Sequence, residues 1–163
     1  IMAVTLADIT HLRKMCGAGM MDCKNALIEA DNDFEKAMEI IRKKGQAIAA
    51  KRSDREASQG CVLAAEDGEF AAIVALRCET DFVASNADFV KLTQDMLAAA
   101  MANKPADKDA FLAIKMADGR TIQEHITDRA GVTGEKTELG YYCAQITKPG
   151  DYVEQYVLLE IQK

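Results

Sequence analysis

The chain has 163 residues, of which 49% are hydrophobic and 28% are charged, as in an ordinary folded protein. Its formal net charge is −6, so the chain as a whole repels polyanions, and we expect neither nucleic acid nor a membrane as a partner. The sequence has no run of the roughly 18 apolar residues that a membrane span requires, and no signal-peptide pattern. We therefore expect a cytoplasmic protein, with Met2, which Ile1 precedes, as its native start.

The five cysteines are predicted to be reduced and buried. Their number is odd, no two of them form a CxxC pair, and they lie in apolar, periodic segments. A chain of this length can bury a core large enough to be stable without a disulfide or a metal ion. The cysteines are Cys16, Cys23, Cys61, Cys78 and Cys143.

The first part of the chain predicts three short amphipathic helices. Thr5 and Asp8 form a capping box for the first helix, and the glycines at 17 and 19 end it. The turn at residues 31–33 begins the third helix. Apolar residues recur at helical spacing in each segment: Leu6, Ile9, Leu12 and Cys16; Cys23, Ala26, Leu27 and Ala30; Phe34, Ala37, Met38 and Ile41. These stripes can be buried only against one another, so the helices form one small helical unit.

A basic stretch follows the third helix. Five of the six charged residues from Lys43 to Arg55 are basic, and Gly45 interrupts the helical pattern. We expect the helix to end at this glycine and a charged linker to follow it. The predicted organisation is a helical domain at residues 1–44, a linker at 45–59 and a larger domain at 60–163.

The second part of the chain predicts an α+β domain. Apolar runs at 61–65 and 70–78 flank the turn residues 66–69, which is the pattern of a β-hairpin. The second run shows no polar alternation, so we expect this strand to be covered on both faces. Two more strands, at about 138–146 and about 152–161, flank a proline-glycine turn. The predicted sheet is mainly antiparallel.

Two helices are predicted between these strands. Asn86 or Asp88 can cap the first, which ends before Pro105. Thr121 and Glu124 form a capping box for the second. We expect Gly131 to terminate it.

Catalytic chemistry finds little support in the sequence. His11 and His125 lie in helices at opposite ends of the chain, and we expect both to be structural or surface residues. Residues 131–137, GVTGEKT, depart from a phosphate-binding loop, which has four residues between its glycines and a lysine directly after the second. His, Cys, Asp and Glu nowhere show the spacing of metal ligands. We expect no catalytic residue, no metal and no cofactor.

One segment is apolar and acidic where a loop should be polar. Residues 79–83, ETDFV, follow a predicted buried strand and precede a helix cap, which places Asp81 and Phe82 at a strand-to-helix corner. A large aromatic side chain beside a carboxylate at such a corner suits contact with a partner. In the alternative interpretation, Phe82 folds back into the core and Asp81 caps the helix.

Two adjacent methionines, Met20 and Met21, form the second unusual feature. They directly follow the Gly17-Ala18-Gly19 loop. Flexible thioether side chains suit an adaptable contact surface, but methionines at helical spacing also commonly fill a core. Both interpretations remain open from the sequence.

Two long motifs carry a family resemblance. The first comprises residues 12–27, LRKMCGAGMMDCKNAL, followed by residues 37–45, AMEIIRKKG. It resembles the N-terminal helical domain of elongation factor Ts, which is similar to ubiquitin-associated domains. The second comprises residues 78–84, CETDFVA, at the expected distance downstream. The resemblance is close from Met2 to about Tyr142, whereas residues 143–163 fit the family poorly.

The resemblance implies a partner and a mechanism. In this family the corner presses on the GTP-binding domain of elongation factor Tu near its magnesium site, and GDP leaves without a covalent step. The helical domain packs on a helix of the same partner domain. The residues that the resemblance assigns to partner contact are Thr80, Asp81, Phe82 and Val83 at the corner, and Arg13, Gly17, Gly19, Met20, Met21, Asp22 and Lys24 in the helical domain. Family members are usually longer, so we expect either a truncated or a shortened member.

Two other classes of protein remain as alternatives. The first is a ubiquitin-associated-like binding module joined to an unrelated α+β domain, which leaves the corner unexplained. The second is a thiol enzyme that uses Cys78, which requires a lowered thiol pKa and a nearby base. We favour the nucleotide exchange factor because it accounts for both motifs.

Overall fold

The computed structural model describes residues 3–146, and these divide into two units. The first unit holds the described chain up to Asp54 together with Thr127–Glu135. The second unit holds Arg55–Ile126 and the described residues from Lys136 onward. The boundary at Asp54 falls within the stretch that was predicted to be a linker. Residues 127–135, by contrast, were predicted to belong to the second domain.

The first unit is helical. Its three leading helices are α1 at Leu6–Cys16, α2 at Met20–Glu29 and α3 at Phe34–Lys51. The predicted capping box at Thr5 is confirmed, because Asp8 N–H donates to the Thr5 hydroxyl and the Thr5 N–H donates to the Asp8 carboxylate. Gly17 ends α1 in the left-handed conformation, with φ of 71°. Asp33 caps α3 by accepting a hydrogen bond from Lys36 N–H at 3.1 Å.

The core of this unit follows the predicted apolar stripes. Leu12, Cys23, Leu27 and Ala37 are completely buried against one another. Each buried leucine contributes roughly 1.5–3 kcal/mol relative to an exposed one, so this cluster holds the three helices together. The prediction is wrong for Leu6, which is 68% exposed, because Ile9 and Leu12 form the buried face of α1.

Two glycines predicted to break helices instead lie inside them. Helix α3 continues through Gly45 to Lys51, and helix α7, at Ile122–Thr133, continues through Gly131. A Cβ atom built on Gly131 would lie 2.4 Å from the Gly45 Cα, closer than any real side chain can approach. The two helices therefore pack backbone to backbone at these glycines. Missing side chains allow this contact, and the helical conformation is kept on both sides of it.

The Gly131→Ala substitution tests this close packing. Alanine in an exposed helix is normally more stable than glycine by about 0.5–1 kcal/mol. Here we expect a loss of about 1–3 kcal/mol in the free energy of unfolding, because the new methyl group meets the Gly45 backbone. Urea denaturation measures this change, with Gln46→Ala on the exposed face of α3 as the control. Increased stability of Gly131→Ala would refute the contact.

Among the described residues, the second unit contains a three-stranded antiparallel sheet in the order β1-β2-β3. The strands are β1 at Gln59–Glu66, β2 at Phe70–Cys78 and β3 at Thr137–Ile146. The predicted hairpin between β1 and β2 is confirmed, with Gly68 at φ of 86° in its turn. The predicted strand at about 152–161 and the turn before it lie outside the described residues. The predicted α+β class, with an antiparallel sheet, is confirmed.

The described helices of the second unit share a hydrophobic core with this sheet. They are α4 at Asp81–Ala84, α5 at Ala87–Asn103, α6 at Lys108–Leu112 and the first part of α7. The predicted start of α5 at Asn86 is confirmed, as is the capping box of Thr121 and Glu124 before α7. The short helix α6, capped by Asp107, was not predicted. Among residues 3–146, no helix is both long and apolar enough to cross a membrane.

The core of this unit lies between α5 and the inner face of the sheet. Val74, Leu76 and Cys78 of β2 are completely buried there, together with Phe89 and Met96 of α5. On the opposite face of β2, Ile73 is 40% exposed. The prediction that β2 is covered on both faces is therefore wrong over the described residues. Its apolar run reflects its central place between two paired strands, which buries its backbone on both edges.

Candidate functional site

The predicted corner is a single helical turn between β2 and α5. Thr80 caps α4, since its hydroxyl accepts a hydrogen bond from Val83 N–H at 3.4 Å. The Asp81 carboxylate accepts from Phe82 N–H at 2.9 Å, and the Ser85 hydroxyl donates to the Asp81 carbonyl at 2.8 Å. The cap is thus Thr80, and the interpretation of Asp81 as the capping residue is wrong. Local hydrogen bonds hold this turn in one conformation.

Phe82 points away from the core. Its side chain is 83% exposed, whereas Val83, one residue later, is half-buried against the core of the second unit. The exposure rules out the interpretation in which Phe82 folds into the core. Asp81 is also exposed. An aromatic ring and a carboxylate therefore lie next to each other on the surface. Exposure of the apolar ring to water is unfavourable, and contact with a partner would bury it again.

Glu79 fixes the strand side of the corner. Its side chain is 13% exposed, and its carboxylate accepts a hydrogen bond from Lys136 N–H at 2.6 Å and another from an Arg55 guanidinium nitrogen at 3.3 Å. The Lys136 ammonium group donates to the Arg55 carbonyl at 2.9 Å. Glu79 was not among the predicted site residues. An acidic residue at the end of a buried strand was the available signal, because such a carboxylate requires partners.

Cys78 lies on the inner side of the same corner. It is completely buried, and its thiol donates a hydrogen bond to the Thr80 carbonyl at 3.2 Å. A buried thiol that is engaged with the backbone is poorly placed to react with a substrate. The position of Cys78 therefore speaks against the thiol-enzyme alternative.

The loop between α1 and α2, residues 17–19, leads into the second predicted contact surface. Gly19 precedes α2 with an extended backbone, and Asp22 in the first turn forms an ion pair with Lys44 of α3. Met20 is 38% exposed and Met21 is 64% exposed. The interpretation of these methionines as core residues is therefore wrong. Arg13, Gly17 and Lys24 are exposed as well.

Both histidines have structural partners. The His11 ring packs edge-on against Phe34 with the ring centroids 5.3 Å apart. The His125 imidazole lies 3.0 Å from one Asp118 carboxylate oxygen, and Arg120 donates to the other at 2.8 Å. Burial opposes ionisation of Asp118, but the hydrogen bonds from Arg120 and His125 outweigh it and hold the pKa of this carboxyl well below its ordinary value. Over residues 3–146, no three His, Cys, Asp or Glu side chains are grouped to hold a metal ion.

The fold and these surfaces define a class: a two-unit α+β protein that exposes large apolar side chains at a strand-to-helix corner and at the start of a helix. Comparison with known proteins specifies the family. Residues 79–160 match the family model described as "Elongation factor TS". The chain therefore belongs to the elongation factor Ts family. The match runs to residue 160, beyond Tyr142, where the close sequence resemblance ends.

Curated relatives agree with this assignment. Elongation factor Ts of Porphyromonas gingivalis is 72% identical over 141 residues, which cover 86% of this chain and 52% of the relative. That of Parabacteroides distasonis is 72% identical over 142 residues, covering 87% and 43%. That of Bacteroides thetaiotaomicron is 63% identical over 152 residues, covering 93% and 46%. The chain spans about half the length of the curated relatives it matches.

The Glu79→Ala substitution tests the fixation of the corner. The substitution removes the carboxylate that accepts from the Lys136 N–H and that pairs with the Arg55 guanidinium group. We expect the free energy of unfolding to fall by about 1–3 kcal/mol. Urea denaturation provides the measurement. Glu69→Ala is the matched control, because the Glu69 side chain is 84% exposed and its replacement is expected to be nearly neutral. Equal effects of the two substitutions would refute the role of Glu79.

The Asp118→Asn substitution tests the Asp118 network through its pH dependence. A carboxyl whose pKa is lowered in the folded state stabilises the protein above its pKa in the unfolded chain, and this stabilisation is lost as the pH falls through the folded pKa. We expect the variant to be less stable than the original chain at neutral pH, by a modest amount because the site is partly exposed. The difference should shrink in acid. Denaturation at several pH values measures it, and a constant difference would contradict the network.

Proposed function

We propose that this chain binds elongation factor Tu in its GDP-bound form and promotes release of the nucleotide. The observation that carries the proposal is the 83% exposure of Phe82 on a corner fixed by Glu79 and Thr80. Family membership supplies the partner. Because the chain covers about half of its curated relatives, the proposal concerns what this part of the protein contributes.

The proposed mechanism is mechanical and electrostatic. Phe82 inserts against the GTP-binding domain of the partner, and Asp81 brings a negative charge beside it. Magnesium demands near-octahedral oxygen ligands and links the nucleotide phosphates to the protein, so a small shift of the elements that hold it weakens GDP binding. The chain itself performs no bond-making step, and we propose that it is not an enzyme.

A fixed corner suits this task. An inserted side chain can displace partner residues only if its own backbone stays in place. A rigid element also loses less conformational entropy when the complex forms. Thr80, Asp81 and Ser85 hold the turn locally, while Val83 packs on the core below it. The aromatic ring is consequently presented on a support that is formed before the partner arrives.

The helical unit supplies a second proposed contact. Met20 and Met21 are exposed, and thioether side chains adapt to an apolar partner surface. Arg13, Asp22 and Lys24 carry charges in the same helical unit, and such charges can fix the orientation of a partner. We expect this surface to govern affinity and the corner to govern the rate of nucleotide release.

The exchange assay uses a fluorescent GDP analogue bound to elongation factor Tu. We expect the chain to accelerate release of the analogue and Phe82→Ala to lose most of this acceleration, roughly 30-fold for an interface residue worth about 2 kcal/mol. Tyr141→Ala is the matched control, because Tyr141 is also an exposed aromatic residue, at 53%. Circular dichroism checks that both variants fold.

Three results would decide the proposal. Equal release rates for Phe82→Ala and the original chain would exclude Phe82 as the inserted group. Reciprocity of binding also requires that excess GDP dissociate the complex, since a factor that weakens GDP binding is itself weakened by GDP to the same degree. Capture of ubiquitin in preference to elongation factor Tu would favour the alternative of a ubiquitin-associated-like module.

A further inference from the structure

Two free cysteines face each other across the loop between α1 and α2. The sulfur atoms of Cys16, the last residue of α1, and Cys23, in α2, are 3.8 Å apart. Ala18 lies between them: its N–H donates to the Cys16 sulfur at 3.4 Å, and its carbonyl accepts from the Cys23 thiol at 3.7 Å. The two thiols thus lie side by side, on the inner side of the loop that leads to Met20.

The two thiols differ in their access to solvent. Cys16 is half-buried, whereas Cys23 is completely buried. Burial and the neighbouring Cys16 raise the pKa of the Cys23 thiol to about 12. A small oxidant can therefore reach Cys16 first. Cys23 has Cys16 as its neighbour at 3.8 Å, but its raised pKa keeps it largely protonated, so we expect its attack on the oxidised Cys16 to be slow. This is the arrangement of an attacking cysteine and a resolving cysteine.

We propose that Cys16 and Cys23 form a reversible disulfide when the chain meets a peroxide, and that this bond weakens the partner contact made by the adjacent loop. A disulfide needs the sulfurs at about 2.05 Å, so rotation of the two side chains must bring them closer. The effect of the disulfide on partner binding rests on the proposed function. Formation of the disulfide concerns this chain alone.

The reaction balances with hydrogen peroxide as the oxidant. The Cys16 sulfur attacks one peroxide oxygen, the O–O bond breaks, and Cys16 becomes a sulfenic acid as water leaves. The Cys23 sulfur then attacks the Cys16 sulfur, the S–S bond forms, the S–O bond breaks and a second water leaves. Two thiols are oxidised and one peroxide is reduced to two waters. A dithiol reverses the step by thiol–disulfide exchange.

The position of the bond connects it to the contact surface. It would join the end of α1 to α2 across Gly17 and Gly19, the two residues that shape the loop. Gly17 has a left-handed conformation, with φ of 71°. We expect that drawing the two sulfur atoms together into a disulfide would disturb this conformation. Met20 and Met21 begin α2 and would shift with it. We expect affinity for the partner to fall by about fivefold or more, within the usual range of coupling between two sites.

The first experiment tests bond formation in the full chain. Cys143 is exposed, so Cys143→Ser is used as the background to prevent cross-linking between chains. After treatment with hydrogen peroxide, intact mass and peptide mapping should show one disulfide between Cys16 and Cys23, which dithiothreitol removes. Adding Cys16→Ser or Cys23→Ser should abolish it. A chain that keeps all its thiols free, or that pairs other cysteines, would overturn the proposal.

The second experiment tests the coupling. Binding of the reduced and oxidised chains to GDP-bound elongation factor Tu is compared, with Cys16→Ser treated identically as the control. We expect oxidation to weaken binding of the Cys143→Ser chain and to leave the Cys16→Ser control unchanged. Equal binding before and after cross-linking would overturn the coupling and leave the proposed function intact. Absence of binding by the reduced chain would instead refute the proposed function, and the coupling with it.

Discussion

The carboxylate of Glu79 accepts hydrogen bonds from two parts of the chain that are distant in sequence, the start of the second unit at Arg55 and the start of β3 at Lys136. A carboxylate that is largely removed from water must be satisfied in this way, or its burial would cost several kcal/mol. The end of β2 is therefore fixed to the edge of the sheet on which β3 begins. The position of the turn after β2 is therefore fixed relative to the sheet, and so is the direction in which Phe82 projects from it.

Burial on the inner side of the corner determines which residue is left outside. Cys78 and Val83 pack toward the core, so the residue between Asp81 and Val83 in the single turn of α4 must face solvent. Exposure of a phenylalanine is unfavourable for an isolated protein, and the fold could have avoided it with a polar residue. Its presence on a hydrogen-bonded turn is the observation on which the proposed contact with a partner depends. The methionines after Gly19 are also exposed, and thioether side chains are in general more flexible than an aromatic ring.

The helical unit shows how glycine can be misinterpreted in a sequence. Gly45 and Gly131 were both predicted to end helices, because glycine weakens a helix and is frequent at helix ends. Each instead lies inside a helix, where the absence of a side chain lets two backbones touch. Gly17 has the expected role, with a left-handed conformation at the end of α1. Glycine thus has two roles in this unit: it ends a helix, or it allows two helices to pack closely. The local sequence does not distinguish these roles, because close packing depends on a residue far along the chain.

The sequence by itself determined what depends on near neighbours. Helix caps at Thr5, Asp33 and Asn86, the β1–β2 hairpin and the apolar stripes of α2 all follow from residues within a few positions of one another. The two family motifs identified the family for a similar reason, since each is a continuous string. Only the tertiary structure decided that Phe82 is exposed, that Glu79 holds the corner, that Gly45 meets Gly131 and that the sulfurs of Cys16 and Cys23 adjoin. Each of these depends on how packing orients side chains or brings separate segments together, and a local pattern carries no information on the distance between such segments.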